Sequence, residues 1–307
     1  MKRAVIPVIA VALAVCAAAA VILIPKPGYA KEGRMVRARY TAYLNRASSG
    51  EADDSSGDGG EPELPFYFHV PDGFLETKMG DKEFVTPINP FDTPEIWLEL
   101  DGAEERHDAS QLAKEIVDTA STRELLLYCM NYNFDIDVFM FDSLQDGIDM
   151  VKESFNGLRE LFSREDASEA LVELYRLYDP AEQYASDEFS TVRFHYLEAL
   201  LSSAEVLNSL TKDEASVLAA SCAEKLTWIM ETEDCPYSMD TTVYLAVLSQ
   251  YMCNKDFAEI ADSSQGVLDY LASGRLVLDD IDDETLGKLY LSAAEFIKVN
   301  GEEEQGE

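Results

Sequence analysis

Six apolar residues, Leu144, Ile148, Val151, Phe155, Leu158 and Phe162, recur at spacings of 4, 3, 4, 3 and 4. Only a helix gathers all six on one side; a strand would scatter them over both faces. The same period fills most of the chain from about residue 109 onward. Leu112 and Ile116 open a helix. Ser121-Thr122-Arg123-Glu124 has the form of a capping box, in which serine and glutamate satisfy free amides at a helix start. Leu125, Cys129 and Tyr132 would line the inner face of that helix. Gly147 and Gly157 weaken the 144–162 helix, and Asn156-Gly157 offers it an end. Ser163-Arg164-Glu165-Asp166 reads as the cap of a further helix, lined by Ala167, Ala170, Leu171, Leu174 and Tyr178 and stopped by Asp179-Pro180.

A long helix is expected over 187–209, with Phe189, Val192, Tyr196, Leu200, Ala204 and Leu207 inward. Thr211-Lys212-Asp213-Glu214 forms a second capping box, before a helix carrying Leu218, Cys222, Leu226 and Ile229. Asp240 opens one with Tyr244, Leu248 and Tyr251, and a shorter helix covers 263–272. The last runs from Asp283 to Val299, with Leu286, Leu289, Tyr290, Ala293, Phe296 and Ile297 inward. The expected fold class is all-α, a bundle or irregular array of about seven to nine helices. A solenoid is not supported, because no repeat of fixed length recurs.

Other segments frame this domain, which spans residues 65–300. Phe66, Phe68 and Val70 alternate with Tyr67 and His69, and Pro87, Pro90 and Pro94 follow. Residues 65–100 therefore read as short extended pieces and turns, with Phe91 and Trp97 packed on the helices. Residues 47–64 are a low-complexity acidic linker, and 301–307 a charged tail with nothing to bury. At the other end, Lys2 and Arg3 precede an apolar run from Ala4 to Ile24, then Pro25, Pro27 and Gly28-Tyr29-Ala30. A basic start, an apolar run and small residues at −3 and −1 form an export signal, with cleavage before Lys31. The run is also long enough for a retained membrane anchor over residues 4–24. Lys26, Lys31, Arg34, Arg37, Arg39 and Arg46 on its C-terminal flank favour the opposite orientation, with the domain inside. The leading expectation is an exported, extracellular protein, and the alternative is an anchored one. Cys16 follows Val15, a poor lipoprotein site, and reads as an ordinary apolar residue.

Residues 31–46 form a basic arm whose Arg34, Arg37 and Arg39 accompany Tyr40, Tyr43 and Leu44. Beside an anchor this arm would meet anionic headgroups, so membrane contact is confined to residues 4–46. The whole chain carries a net charge of −35, and residues 47–307 hold 58 of its 59 acids. Such a field repels nucleic acid and suits a basic protein or cell-envelope component as partner. Beyond the first segment lie Cys129, Cys222, Cys235 and Cys253. No C-x-x-C pair occurs, so zinc and thioredoxin-like chemistry are unsupported, and buried free thiols are favoured over one bridge through Cys235.

A skeleton between residues 93 and 175 carries a resemblance. It comprises Pro94, Trp97, Glu104-Glu105-Arg106, Ser121-Thr122-Arg123-Glu124-Leu125, Phe155-Asn156-Gly157-Leu158-Arg159-Glu160-Leu161 and Ser163-Arg164-Glu165-Asp166-Ala167. It is similar to uncharacterised secreted helical proteins of Gram-positive bacteria. This chain departs from that pattern at Tyr132-Asn133, where the type has tyrosine followed by proline. The resemblance implies export and a helical fold and carries no functional residue.

Candidate chemistry is sparse. Asp135, Asp137, Asp142, Asp146 and Asp149 offer oxygen ligands for calcium. The favoured reading makes Asp142 an N-cap and Asp146 a partner of the helix N-terminus. Asp279-Asp280-Ile281-Asp282-Asp283-Glu284 fails as an EF-hand, having Thr285 where glycine is needed and Leu291 where the last glutamate belongs. It reads as the acidic first turn of the last helix. Of His69, His107 and His195, the last could serve as a general base with a partner such as Glu198. A hydrogen-bonded boundary histidine is the favoured reading. No nucleophile elbow, zinc-protease motif or phosphate loop occurs. No catalytic, cofactor-binding or metal residue and no cofactor is therefore assigned. The leading expectation is a binding or structural module at the cell surface. The alternative is a cell-surface hydrolase using paired carboxylates.

Overall fold

The computed structural model describes residues 70–71, 73–75, 94–186, 190–232, 235–273 and 281–303. The export segment, basic arm, acidic linker, Phe66, Phe68, His69, Phe91, Phe189, Asp279 and Asp280 lie outside the described residues. The described residues are all-α, with no strand. The helices are α1 (Pro94–Glu99), α2 (Gly102–Ala109), α3 (Lys114–Thr119), α4 (Thr122–Met130), the 3₁₀ helix η1 (Asp135–Met140), α5 (Leu144–Ser154), α6 (Asn156–Leu161), α7 (Ala167–Leu177), α8 (Pro180–Ser186), α9 (Ser190–Leu201), α10 (Ala204–Leu207), α11 (Lys212–Glu231), α12 (Asp240–Cys253), α13 (Lys255–Asp262), α14 (Gln265–Ser273) and α15 (Asp283–Glu303). The expected helices supply the longer elements; α1, α2, η1, α8 and α13 add short ones.

Both capping boxes form as read. Ser121 accepts from the Glu124 amide while the Glu124 carboxylate accepts from the Ser121 amide, and Thr211 and Glu214 do the same. At α5 the cap is Ser143, not Asp142: the Ser143 hydroxyl accepts from the Asp146 amide. Asp166 rather than Ser163 stands before α7, and it accepts from Thr122 at 2.6 Å. Pro180 starts α8 as well as following the end of α7, since the first turn has no use for the missing amide proton. Pro94 likewise begins α1, so 94–99 is helical where extended chain was expected. Trp97 is buried as expected, its ring 5.7 Å from Phe134. Helix α15 continues through Gly301–Glu303, so part of the expected tail is helical.

The 144–162 stripe is split between two helices. Phe155 is extended (φ −125°, ψ 116°) between α5 and α6. Two distant amides hold the break open. Gln111 donates to the Ser154 carbonyl at 2.7 Å and accepts from the Asn156 amide at 2.8 Å. Asn156 in turn accepts from the Leu112 amide and donates to the Leu112 carbonyl. The groups freed by breaking the helix are thereby satisfied. Leu144, Ile148, Val151, Phe155 and Leu158 still reach the core.

The 187–209 stretch also divides. Ser203 caps α10 through the Val206 amide. Helix α9 is buried nearly all round: Arg193, Phe194, Tyr196, Leu197, Glu198, Ala199, Leu200 and Leu201 are all inside. It packs against α4, α5, α7, α8, α10, α12 and η1. A helix covered on every side is a core element. Ala204, expected inward, is exposed beyond the break. The long pair α11 and α12 forms a hairpin; α7 packs on α11, and α13 and α14 pack on α12. One apolar cluster runs from Phe74 to Ala294. The four described cysteines, Cys129, Cys222, Cys235 and Cys253, are free.

Helix α5 meets η1 at Gly147, where an added Cβ would fall 2.0 Å from the Val138 carbonyl oxygen. Gly287 on α15 has nothing within 4 Å of that position. Gly147→Ala should therefore lose stability, about 1–3 kcal/mol of overpacking exceeding the gain in helix propensity. Gly287→Ala should gain up to about 1 kcal/mol. Urea unfolding of both variants checks the opposite signs.

Lys152 on α5 joins Asp149 of its own helix and Glu205 on α10. Burial pushes the Glu205 carboxyl up, but its bonds to Lys152 and Gln145 outweigh that and hold it below the usual range. A depressed carboxylate stabilises the fold above its unfolded pKa and loses that contribution as pH falls through the folded value. Glu205→Gln should therefore flatten the acid limb of the stability–pH curve, read by thermal melting between pH 7 and 3.

Candidate functional site

Three residues separate His195 from Glu198, so both project from one side of α9. Glu198 is fully buried, the only acid so placed among the described residues. A buried carboxylate is tolerated only with strong partners. Tyr175 on α7 donates its hydroxyl to Glu198 Oε1 at 2.9 Å. Thr241 on α12 donates to Oε2. His195 Nδ1 lies 3.1 Å from Oε2 and 2.6 Å from Thr241 Oγ1.

The other imidazole nitrogen fixes the tautomer. His195 Nε2 accepts from the Ser238 amide at 3.2 Å. A backbone amide only donates, so Nε2 carries the lone pair and Nδ1 the proton. The chain then runs from Nδ1–H to Thr241 Oγ1, and from the threonine proton to Glu198. Ser238 sits before α12, and its hydroxyl bonds Asp240 Oδ2 at 2.8 Å. Its neighbour Tyr237 packs edge-on against Phe194, His195 and Trp228 and donates to the Pro180 carbonyl.

Helix α11 adds Cys222 and Lys225, both buried. The Lys225 ammonium lies 4.7 Å from the centre of the Tyr175 ring. Burial pulls the Lys225 pKa down, against the opposing fields of Glu224, Cys222, Glu198 and Asp179. Burial, followed by the charges of Cys222 and Glu198, pushes the Tyr175 hydroxyl well above its ordinary value. Burial does the same to the Cys222 thiol. Tyr175 and Cys222 therefore keep their protons through the physiological range. They offer hydrogen bonds rather than nucleophiles.

Both nitrogens of His195 are thus committed, one to the loop and one to Glu198 and Thr241. This is a clasp joining α7, α9, α12 and the loop before α12. Sequence reading named the His195–Glu198 pair. It missed Thr241, Ser238, Tyr175 and Lys225, for which spacing along the chain gives no signal.

The remaining candidates disperse. His107 Nδ1 lies 2.9 Å from the Tyr132 hydroxyl, and its ring stacks on Phe134 at 4.1 Å. Asp137 stands 4.0 Å from His107, Asp146 accepts from Ser143, and Asp149 from Lys152. No group of three metal-ligating side chains occurs among the described residues. Asp282 accepts from the Thr285 amide and hydroxyl at the start of α15. Asp149 and Glu205 converge on the Lys152 ammonium, which offsets one of their two charges. No helix among the described residues is long and apolar enough to cross a membrane.

Comparison with protein-family models, with curated proteins and with solved structures finds no match for this chain.

Glu198→Ala would strand the Tyr175 and Thr241 donors in the interior. At about 1–3 kcal/mol for each buried group left unpaired, a loss of at least about 2 kcal/mol is expected. His195→Ala, at the edge of the clasp, should cost less. Chemical denaturation of the two variants checks the order.

Proposed function

We propose that this chain is an exported, acidic helical domain that acts as a non-enzymatic binding or structural module at the cell surface. The observation carrying this reading is the commitment of the one fully buried carboxylate among the described residues. Glu198 is bonded by Tyr175, Thr241 and His195, and the second imidazole nitrogen is bonded by Ser238. The site with the best catalytic credentials is spent on holding helices together. The net charge of −35 supports a basic protein or a cationic cell-envelope component as partner. The N-terminal run of residues 4–24, with small residues before Lys31, supports export, by cleavage or as an anchor.

Two measurements test the reading. N-terminal sequencing of the protein from its native host should find either Lys31 first, outside the cell, or Met1 retained in the membrane fraction. An intact chain in the cytosol would refute export. Binding to immobilised basic peptides should weaken steeply between 50 and 500 mM salt, because exposed charges are screened. Hydrolysis of cell-envelope glycan, lost on removing one pair of facing carboxylates, would replace the module by a hydrolase.

A further inference from the structure

The clasp distinguishes the two protonation states of His195 through a single contact. Nε2 accepts the Ser238 amide only while it is unprotonated. Adding a proton there sets N–H against N–H at 3.2 Å, and the contact becomes repulsive. Histidine is the side chain whose charge changes between about pH 5 and 8. We propose that protonation of His195 releases the loop 235–239 from α9, so that the junction before α12 is an acid-sensitive latch.

The charged and titratable groups facing the ring decide the sign. Glu198 lies on α9 itself; Tyr175 on α7, and Cys222 and Lys225 on α11, act on that carboxylate. None of these sits on the loop, so they meet the imidazolium alike whether the loop is docked or released. Thr241 belongs to α12 beyond the loop, and its hydroxyl lies 2.6 Å from Nδ1. The loop itself carries Ser238, Tyr237 and Cys235, whose thiol burial pushes up, and Asp240 adjoins it. Asp240 is tied to the Ser238 hydroxyl, and Tyr237 presents its ring 6.3 Å from that of His195. Asp240 pulls towards keeping the charged ring near, whereas the lost Ser238 bond lies in direct line with the new proton. Adding the proton therefore costs the docked loop a bond that the released loop does not hold, and acid shifts the balance to release. Released, the loop would uncover Tyr237, which is otherwise buried against Phe194 and Trp228.

Hydrogen exchange of the amides of Tyr237, Ser238 and Met239 reads the release directly. After correction for the chemical exchange rate, the opening equilibrium should rise by up to about tenfold per pH unit on the acid side of the ring's titration. In His195→Gln it should be flat from pH 7.5 to 5. Flat protection in the unmodified protein, or the same slope persisting in H195Q, overturns the latch. Nitrogen-15 NMR of the His195 ring in the unmodified protein decides the matter even if the variant does not fold. An unprotonated Nε2 at neutral pH is expected, and a proton found there overturns the proposal.

Discussion

Burial of helix α9 on every side is the constraint from which the rest of the fold follows. A helix packed by seven other elements must present apolar atoms in all directions, and α9 does so apart from its polar members. Glu198 is the costly exception. A carboxylate with no access to water has to be satisfied by protein donors, and donors from one helix alone cannot reach both oxygens. Tyr175 and Thr241 come from different helices and meet different oxygens, so the need to satisfy one charge fixes the placement of α7 and α12 together. His195 extends the same requirement to the loop before α12.

A second polar device sets the architecture of the first half. The apolar stripe of 144–162 would be continuous on one straight rod. Gln111 and Asn156 substitute for the helical bonds lost around Phe155, and the chain turns there without leaving buried groups unpaired. Arg164 does comparable work on the end of α3, donating to the Val117 and Ala120 carbonyls at 3.0 and 2.6 Å. These side chains lie more than forty positions from their partners. The packing of short helices, rather than a few long ones, rests on such bonds.

Much was legible because helix periodicity and capping are local. The stripes on α4, α7 and α11 were read with their buried residues, and both capping boxes formed as written. Errors fall where a distant partner intervenes. The break at Phe155 depends on Gln111, and the burial of α9 on all sides depends on the helices that surround it. Helix α13 is the exception: its cap is local, Asn254 accepting from the Phe257 amide, and it was missed all the same. In the candidate site, His195 and Glu198 stood out because they lie a turn apart. Their partners lie 23 to 46 positions away.

The order of apolar and polar residues by itself determined that this chain makes helices, where several begin, and that its outer face is acidic. Those properties arise from neighbours within a turn and from charge, and neither needs a fold to be read. The tertiary structure alone decided which helix is central, where long stripes break and what becomes of the buried carboxylate. Each of those outcomes depends on satisfying polar groups with side chains remote in sequence, and only the folded packing brings such groups within hydrogen-bond reach.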